Sequence, residues 1–553
     1  MSRRDSAIAA LLFSAHLTWL MTTADTLGFM RDEGFYFAAS RAYGEWFELL
    51  ATDPAQALSR ATIDRYFGIN REHPPFVKSL FALSHTLLQQ KLSLFDEPSL
   101  SFRFPAMLLS SCAVALTHIW GAQRFGSVAG LVGALSFALM PRVFFHSHLA
   151  CFDMPVCAMW LFTTYVYARS LESQGWGWPI ATAVAFGLLL ATKHNAWLFP
   201  FAAAGHFALT RAPQAWRERR LELPRAWLCS FVLSPLLFYV AWPWLWHDTG
   251  LRLREYALFH LRHDYYNMEF LGQTYWAPPF PRAYAWLMTL GTVPLVTLAI
   301  AGLGLAVALY RATRHVGRKR LQSAAPHVTA ARAPERAADS DLALWGVCLL
   351  VGYAPWLSTG TPIFGGTKHW LTAYPFLCLF AALGFKTALA ALAQLSPFRN
   401  ACAARALPLA LASSLLVAPL QMTLDSHPFG LSFYTPLVGG VPGAASLGLN
   451  RTFWGYTTHD LAALINQRAP ARGTIYVHDT ALQSFAMLQR DRRLRDDLRG
   501  SLSIPASDIA LYHHEPHMSR VEHQIWLEYG SVSPDGVVVF AGVPLAWAFV
   551  RPR

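Results

Sequence analysis

The residues with the greatest chemical capacity flank a polar loop near the start of the chain. Met30-Arg31-Asp32-Glu33-Gly34-Phe35-Tyr36 follows an apolar run directly, and Arg71-Glu72-His73-Pro74-Pro75-Phe76-Val77-Lys78 precedes the next one. The loop between them is rich in aromatic residues and carries further acids at Glu45, Glu48, Asp53 and Asp64. A carboxylate at a membrane exit can take a proton from a hydroxyl or bind a cation. Two adjacent acids let one act while the other orients it or shifts its pKa. Taken alone, the pair also suits an ordinary helix N-terminus, where the dipole favours negative charge. The prolines after His73 read as a helix start. The flanking His73 and Lys78 add something a helix start does not need, because N–H groups there would point toward an anion that Lys78 also reaches.

Three further places put ionisable groups beside apolar runs. Asp153 in Ala150-Cys151-Phe152-Asp153-Met154-Pro155 has the position of a helix cap with proline in the first turn. Lys193, in Leu190-Ala191-Thr192-Lys193-His194-Asn195, is costly between apolar helices unless it snorkels or meets an anion. Lys368-His369 repeats the pattern of a base beside the membrane. The aromatic segment Trp242 to Trp276 fits an interfacial belt or the lining of a sugar or lipid cleft. The chain has no P-loop, dinucleotide fingerprint, zinc-type histidine spacing or Gly-x-Ser-x-Gly elbow.

The elements that must hold these groups are membrane helices. Apolar residues make up 54% of 553 positions and charged residues 14%, against about 25% charged in ordinary soluble proteins. Apolar stretches of spanning length recur, so the chain is expected to be polytopic. The formal charge of +12 does not point to nucleic acid, because the basic residues gather in short segments between apolar runs, as in cytoplasmic loops. With Arg3 and Arg4 before it, the run from Ile8 to Thr23 reads as an uncleaved first helix running inside to outside. The segment 76–95 is too polar to span and reads as an interfacial amphipathic helix.

Further spans are expected at 103–120, 127–146, 154–170, 177–192, 195–209, 226–246, 283–308, 342–358, 368–386 and 405–424, about eleven with the first. This order places Gln123-Arg124, Arg211 to Arg225 (with Arg217, Arg219 and Arg220) and Arg311 to Arg336 (with Arg314, Arg318, Lys319 and Arg320) in the cytoplasm. Asp32, Asp153, Lys193 and Lys368 all fall outside. The Ala-, Arg- and Pro-rich segment 315–340 reads as a linker. The seven cysteines lie in or beside apolar runs, and none follows Cys402. They form neither a metal-ligand pattern nor a disulfide framework for the C-terminal region.

The expected organisation is a transmembrane catalytic domain at 1–424, with a large first extracytoplasmic loop at 24–102. A small extracytoplasmic α/β domain follows at 425–553. It is read from a helix at His459–Arg468, a strand at Thr474–Val477, a charged helix at Ala481–Leu498 and late strands at Val537–Phe540 and Ala546–Val550.

Over about residues 10–390 these features together resemble the membrane-embedded GT-C glycosyltransferases. The nearest branch is that of the protein O-mannosyltransferases and lipid A aminoarabinose transferases (families 39 and 83). The resemblance rests on Asp32-Glu33 after the first helix, His73-Pro74-Pro75 with Lys78, Asp153 before a proline-containing helix start, and Thr192-Lys193 closing an apolar helix. It implies a polyprenyl-phosphate-linked sugar donor and an inverting transfer at the extracytoplasmic face of the plasma (inner) membrane, to a lipid, glycan or protein acceptor. In that resemblance Asp32 matches the catalytic carboxylate, Glu33 its acidic neighbour and Asp153 a second acidic position. Lys78 and Lys193 fall where a donor phosphate would be contacted, and Arg71, His73, Lys368 and His369 complete the basic set. Asp32, Glu33 and Asp153 can serve as acid–base groups or hold a divalent metal ion, and both uses stay open. The C-terminal region departs from the sugar-binding repeats of eukaryotic protein mannosyltransferases, and no feature ties the chain to aminoarabinose or lipid A. The alternative from another class is a flippase or transporter of lipid-linked sugar, in which intramembrane charges mark a pathway. The clustering of charge on one face and the lack of paired broken helices count against it. A third reading is a binding or assembly subunit whose working part is the C-terminal domain.

Overall fold

Helix α1 (Arg3–Thr23) begins where the Ser2 hydroxyl accepts a hydrogen bond from the Asp5 N–H, an N-cap that satisfies one of the free donors of the first turn. The computed structural model describes residues 2–212, 219, 222–321, 333–395 and 401–552. Arg217, Arg220 and the linker stretch 322–332 lie outside the described residues. After α1 come α2 (Arg31–Thr52), α3 (Phe76–Leu83), α4 (Pro98–Phe125), α5 (Ser127–Ala138), α6 (Pro141–His148), α7 (Asp153–Glu172), α8 (Gly177–Leu190), α9 (Phe199–Thr210), α10 (Arg225–Ala241) and α11 (Thr249–Leu261). A short hairpin, β1 (Met268–Phe270) and β2 (Gln273–Tyr275), leads to α12 (Tyr284–Thr292), α13 (Leu295–Leu321), α14 (Ala333–Tyr353), α15 (Tyr374–Leu392) and α16 (Ala401–Ser426).

The chain is a mostly helical, multi-pass membrane protein. Six helices among the described residues are long and apolar enough to cross a bilayer: Arg3–Thr26, Pro98–Phe125, Leu295–Arg314, Ala337–Leu357, Leu371–Leu392 and Ala404–Ser426. A seventh is added if α5 and α6, bent by 69° at their junction, count as one span. Pro141 at the start of α6 explains that break. Other stretches expected to span are helical but shorter: α8 and α10 are 14 and 17 residues long, and the 283–308 run is split into α12 and α13 ahead of Pro294. The segment expected to lie in the interface continues past α3 as a π-helical stretch over Ser84–Lys91.

The bundle packs around large buried rings, among them Trp120, Trp160, Trp345, Phe376 and Phe380. Where α13 meets α15, glycine is obligatory. A Cβ on Gly304 would come within 1.9 Å of the Phe380 carbonyl oxygen, and one on Gly384 within 1.8 Å of that of Ile300. This is the close backbone approach that small residues permit between membrane helices. At one end of the bundle, Asp341 accepts from Trp120 Nε1 (2.6 Å), Arg124 Nε (2.6 Å) and Arg169 Nη2 (3.0 Å). Asp153 opens α7 and Arg169 lies near its close, about 24 Å apart along the axis at 1.5 Å per residue. The charged ends of this helix therefore serve opposite faces of the bundle.

The C-terminal region contains a five-stranded sheet in the order β4-β3-β5-β7-β6. The strands are β3 (Thr474–Tyr476), β4 (Arg499–Ser501), β5 (Ile509–His513), β6 (Gly536–Phe540) and β7 (Val543–Val550). β3 runs parallel to β4 and β5, and β7 antiparallel to β5 and β6. Helices α17 (Leu482–Arg490) and α18 (Ser519–Tyr529) complete the region. The expected helix at 481–498 is thus shorter, ending in a turn at Asp491, and that at 459–468 is regular only over Ala462–Arg468, after a 3₁₀ turn. Ile475, Ile509 and Leu511 of the sheet share one apolar cluster with Met30, Tyr36, Phe81 and Phe152, so this region packs directly onto the start of α2.

Candidate active site

Asp32 and Glu33 occupy the first turn of α2, and the helix points them in different directions. Glu33 is fully buried. Its carboxylate accepts from Arg103 Nε (2.8 Å) and Nη2 (2.9 Å), from the Met30 N–H (3.0 Å) and from the Ala150 N–H (2.9 Å). Arg103 in turn donates to the carbonyls of Ala24, Leu27 and Gly28, with the Phe29 ring against its guanidinium. Every strong acceptor of this carboxylate is used, as a buried ion pair requires. The knot ties the end of α1, the start of α2, α4 and the Leu149–Phe152 loop together.

Asp32 faces the other way, with its side chain 25% exposed. Lys368 Nζ lies 3.4 Å from Oδ2 and Arg31 Nε 4.0 Å from Oδ1. Arg31 is itself fixed, its Nη1 donating to Asp479 (2.7 Å) and its N–H to the Trp454 carbonyl (2.9 Å). Lys368 sits in a 3₁₀ turn, Gly366–His369, just ahead of the span Leu371–Leu392. Its ammonium lies 3.8 Å over the Trp454 ring and 5.4 Å from that of Phe364. Burial pulls its pKa down, while Asp32 and Asp153 push it back up. The turn depends on Gly365, whose φ is +82° and where a Cβ would lie 2.5 Å from Lys368 Cε and from a Trp454 ring carbon.

Asp153 begins α7 and pairs with Lys193, Nζ to Oδ1 at 2.6 Å. Lys193 stands in extended conformation just after α8. The cation expected between apolar helices has therefore found its anion, and the two residues form one unit across 40 positions of sequence. His73 stands nearby, its ring edge-on to Tyr36 and Phe152, with Nδ1 unpartnered among the described residues. Desolvation, reinforced by His260, Lys193, Lys78 and Lys368, holds its pKa well below the ordinary value.

The remaining expected residues are engaged elsewhere. Lys78 is buried and donates to the backbone carbonyls of Asn70 (2.6 Å) and His73 (2.9 Å), bracing the loop rather than facing Asp32. Burial lowers its pKa to about 7. Arg71 rests on the Trp244 ring at 5.8 Å. His369 is hydrogen-bonded through Nε2 to the Phe364 backbone and closes the 364–369 loop. The three acids Asp32, Glu33 and Asp153 are each matched to a basic side chain. Among the described residues no group of three or more His, Cys, Asp or Glu is arranged to hold a metal ion.

Arg103, Arg31, Trp454 and Asp479 were not foreseen. Arg103 had a legible signal, a charge inside an apolar helix that demands a partner. Trp454 and Asp479 come from more than 400 residues further on, and nothing local marks them.

Residues 72–244 match the family model described as dolichyl-phosphate-mannose-protein mannosyltransferase. No curated protein sequence matches the chain. Among solved structures, ArnT from Cupriavidus metallidurans in the apo state is similar over 98% of each chain, at 15% identity and a TM-score of 0.52. The same protein bound to undecaprenyl phosphate is similar over 98% of this chain and 97% of that one, at 16% identity and a TM-score of 0.51. At these identities the likeness is one of fold.

Proposed function

We infer that this chain is a membrane glycosyltransferase of GT-C type that moves a sugar from a polyprenyl-phosphate-linked donor to an acceptor hydroxyl, with Asp32 as general base, a reading supported by the family match over residues 72–244 and the likeness in fold to ArnT. The observation that carries the reading is the contrast within the first turn of α2. Glu33 is saturated by Arg103 and two backbone N–H groups, whereas Asp32 is partly exposed and held only by long contacts to Lys368 (3.4 Å) and Arg31 (4.0 Å), free to exchange partners. In the reaction the Asp32 carboxylate takes the acceptor O–H proton. The acceptor oxygen then bonds to the anomeric carbon as the bond from that carbon to the phosphate oxygen breaks. Attack opposite the phosphate inverts the anomeric centre, and polyprenyl phosphate leaves with the electron pair. Developing charge on that phosphate calls for fixed cations, which Lys368 and Lys193 are placed to supply, while His73, kept neutral by its burial, can contribute a hydrogen bond. The donor class is supported by ArnT, whose structure holds undecaprenyl phosphate. Asp153 keeps Lys193 in place, and Glu33 positions the turn that bears Asp32.

We read the site as extracytoplasmic in the plasma (inner) membrane. Counting α7, α8, α9 and α10 as crossings gives about eleven spans. Residues 1–424 then form the transmembrane catalytic domain, and 425–553 an extracytoplasmic domain that covers the cleft through Trp454 and Asp479. The acceptor is a lipid, glycan or protein.

The test offers purified protein a panel of radiolabelled polyprenyl-phosphate sugars, with membrane extract as acceptor. Label passing into a product supports the reading and identifies the acceptor. Intact lipid-linked sugar crossing liposomes with no donor consumed would make the chain a flippase and overturn it.

A further inference from the structure

Arg142, the second residue of α6, is 2% exposed. Its Nη2 donates a long 3.4 Å hydrogen bond to the Phe433 carbonyl, and its guanidinium lies 4.9 Å over the Tyr434 ring. Nε and Nη1 have no hydrogen-bond partner among the described residues. The comparison with Arg103, equally buried and fully bonded, makes this group conspicuous. An unpaired guanidinium out of water is strongly destabilising, and a buried polar group left without partners calls for a cause such as an ion or ligand. Other polar atoms here share the condition, for both ring nitrogens of His146 and the Thr367 hydroxyl are likewise buried and unpartnered. Nη1 lies 3.5 Å from where a Cβ on Gly366 would stand. Gly366 opens the 3₁₀ turn that also carries Lys368. Arg142 therefore meets the start of the same turn whose Lys368 reaches Asp32.

We propose that Arg142 anchors a substrate oxyanion, a phosphate or carboxylate, at the Gly366–His369 turn whose Lys368 reaches Asp32. Guanidinium is suited to the task because it stays charged, is weakly hydrated for a cation and forms charge-assisted hydrogen bonds with such groups. The Tyr434 ring covers its face and leaves N–H groups at its edge for the ligand. This rests on the reading of the cleft as a sugar-transfer site, where two oxyanions can arrive: the phosphate of the lipid donor or an acidic group on the acceptor.

The test measures binding rather than turnover, so it stands apart from the transfer assay. Full-length wild type, Arg142→Met and Arg142→Lys are compared in detergent, with undecaprenyl phosphate and inorganic phosphate as probes, by thermal shift and by equilibrium dialysis of labelled probe. Without probe, Arg142→Met should melt no lower than wild type, because an unpaired buried charge has been removed. Its affinity for the probe should fall at least tenfold, with Arg142→Lys in between. Loss of undecaprenyl phosphate binding assigns the oxyanion to the donor. Loss confined to inorganic phosphate bound beside saturating undecaprenyl phosphate assigns it to the acceptor. An Arg142→Met protein that binds both probes like wild type would overturn the proposal, whatever its melting temperature. If that variant does not fold, wild type decides, since stabilisation by neither probe overturns it equally. Failure of sugar transfer with phosphate binding intact would instead count against the proposed reaction alone.

Discussion

The Glu33 knot and the Asp32 site are built from neighbouring residues on one helix turn, yet they are physically opposite. In the knot, one carboxylate receives four hydrogen bonds between 2.8 and 3.0 Å and is sealed from solvent. At the neighbouring site, the Asp32 carboxylate keeps a quarter of its side chain exposed, with its closest cation at 3.4 Å. A saturated buried ion pair resists any change of partner, because a lone charge there is strongly disfavoured. A partly solvated acid can exchange a lysine for a substrate hydroxyl at modest cost. On the proposed reaction, the difference separates holding from acting, although both groups are acids in the same motif.

The largest expected effect comes from breaking the knot. Arg103→Ala leaves Glu33 buried and unpaired, which costs about 3–5 kcal/mol. Thermal unfolding in detergent should show a large fall in Tm, or no folded protein at all, whereas Asp32→Asn should lie within about 1 kcal/mol of wild type. Next in size is Lys193→Met, which strips Asp153 of its 2.6 Å partner. It should cost about 1–3 kcal/mol, the range for a buried group left unsatisfied, because Lys368 remains nearby. Donor turnover should fall with it, and unchanged kcat would detach this pair from the Asp32 site. Gly365→Ala should cost about 1–2 kcal/mol for its left-handed backbone, with displacement of Lys368 on top. Here kcat is expected to drop more than Tm, and the reverse would make the turn merely structural.

A different kind of effect, read against pH instead of against a single substitution, is expected at Lys78, outside the candidate spans. Its folded pKa, about 7, lies below the unfolded value of about 10.4, so the unfolded state binds more protons between those values. The contribution of Lys78 to stability must therefore rise as pH rises from 7 to 10. Wild type should gain Tm relative to Lys78→Met over that window. A flat difference would mean that the lysine stays charged on its carbonyls.

Much of this division was open to a reader of the sequence, and the limits are instructive. Asp32, Asp153, Lys193 and Lys368 could be found because charges beside apolar runs are expensive and need a reason. The same cost explains why Lys193 pairs with an acid instead of reaching solvent. The resemblance pointed to Asp32 as the acting acid, but a physical reason for preferring it to Glu33 was not legible, since that depends on Arg103 arriving from α4 and on the direction each side chain takes from the helix. Lys78 showed the hazard of spacing arguments: five residues from His73, its ammonium turns back onto the loop's own carbonyls. The share of the C-terminal region was invisible for a different reason, because Trp454 and Asp479 reach Lys368 and Arg31 only through tertiary packing. Helix count was blurred where α7 to α10 are short or carry charged ends, so that length and apolarity mark six clear spans among the described residues.

The measurement that bears most directly on the account is single-turnover sugar transfer by Asp32→Asn and Glu33→Gln, with their melting temperatures taken in the same preparations. The account predicts that Asp32→Asn keeps its Tm and loses about 10²–10⁴-fold in rate, the range for removing a general base. Glu33→Gln should lose stability first, and its folded fraction should transfer at a rate much nearer wild type. An Asp32→Asn protein that transfers at the wild-type rate, or a stable Glu33→Gln protein that is inactive, would contradict the division of labour between the two acids.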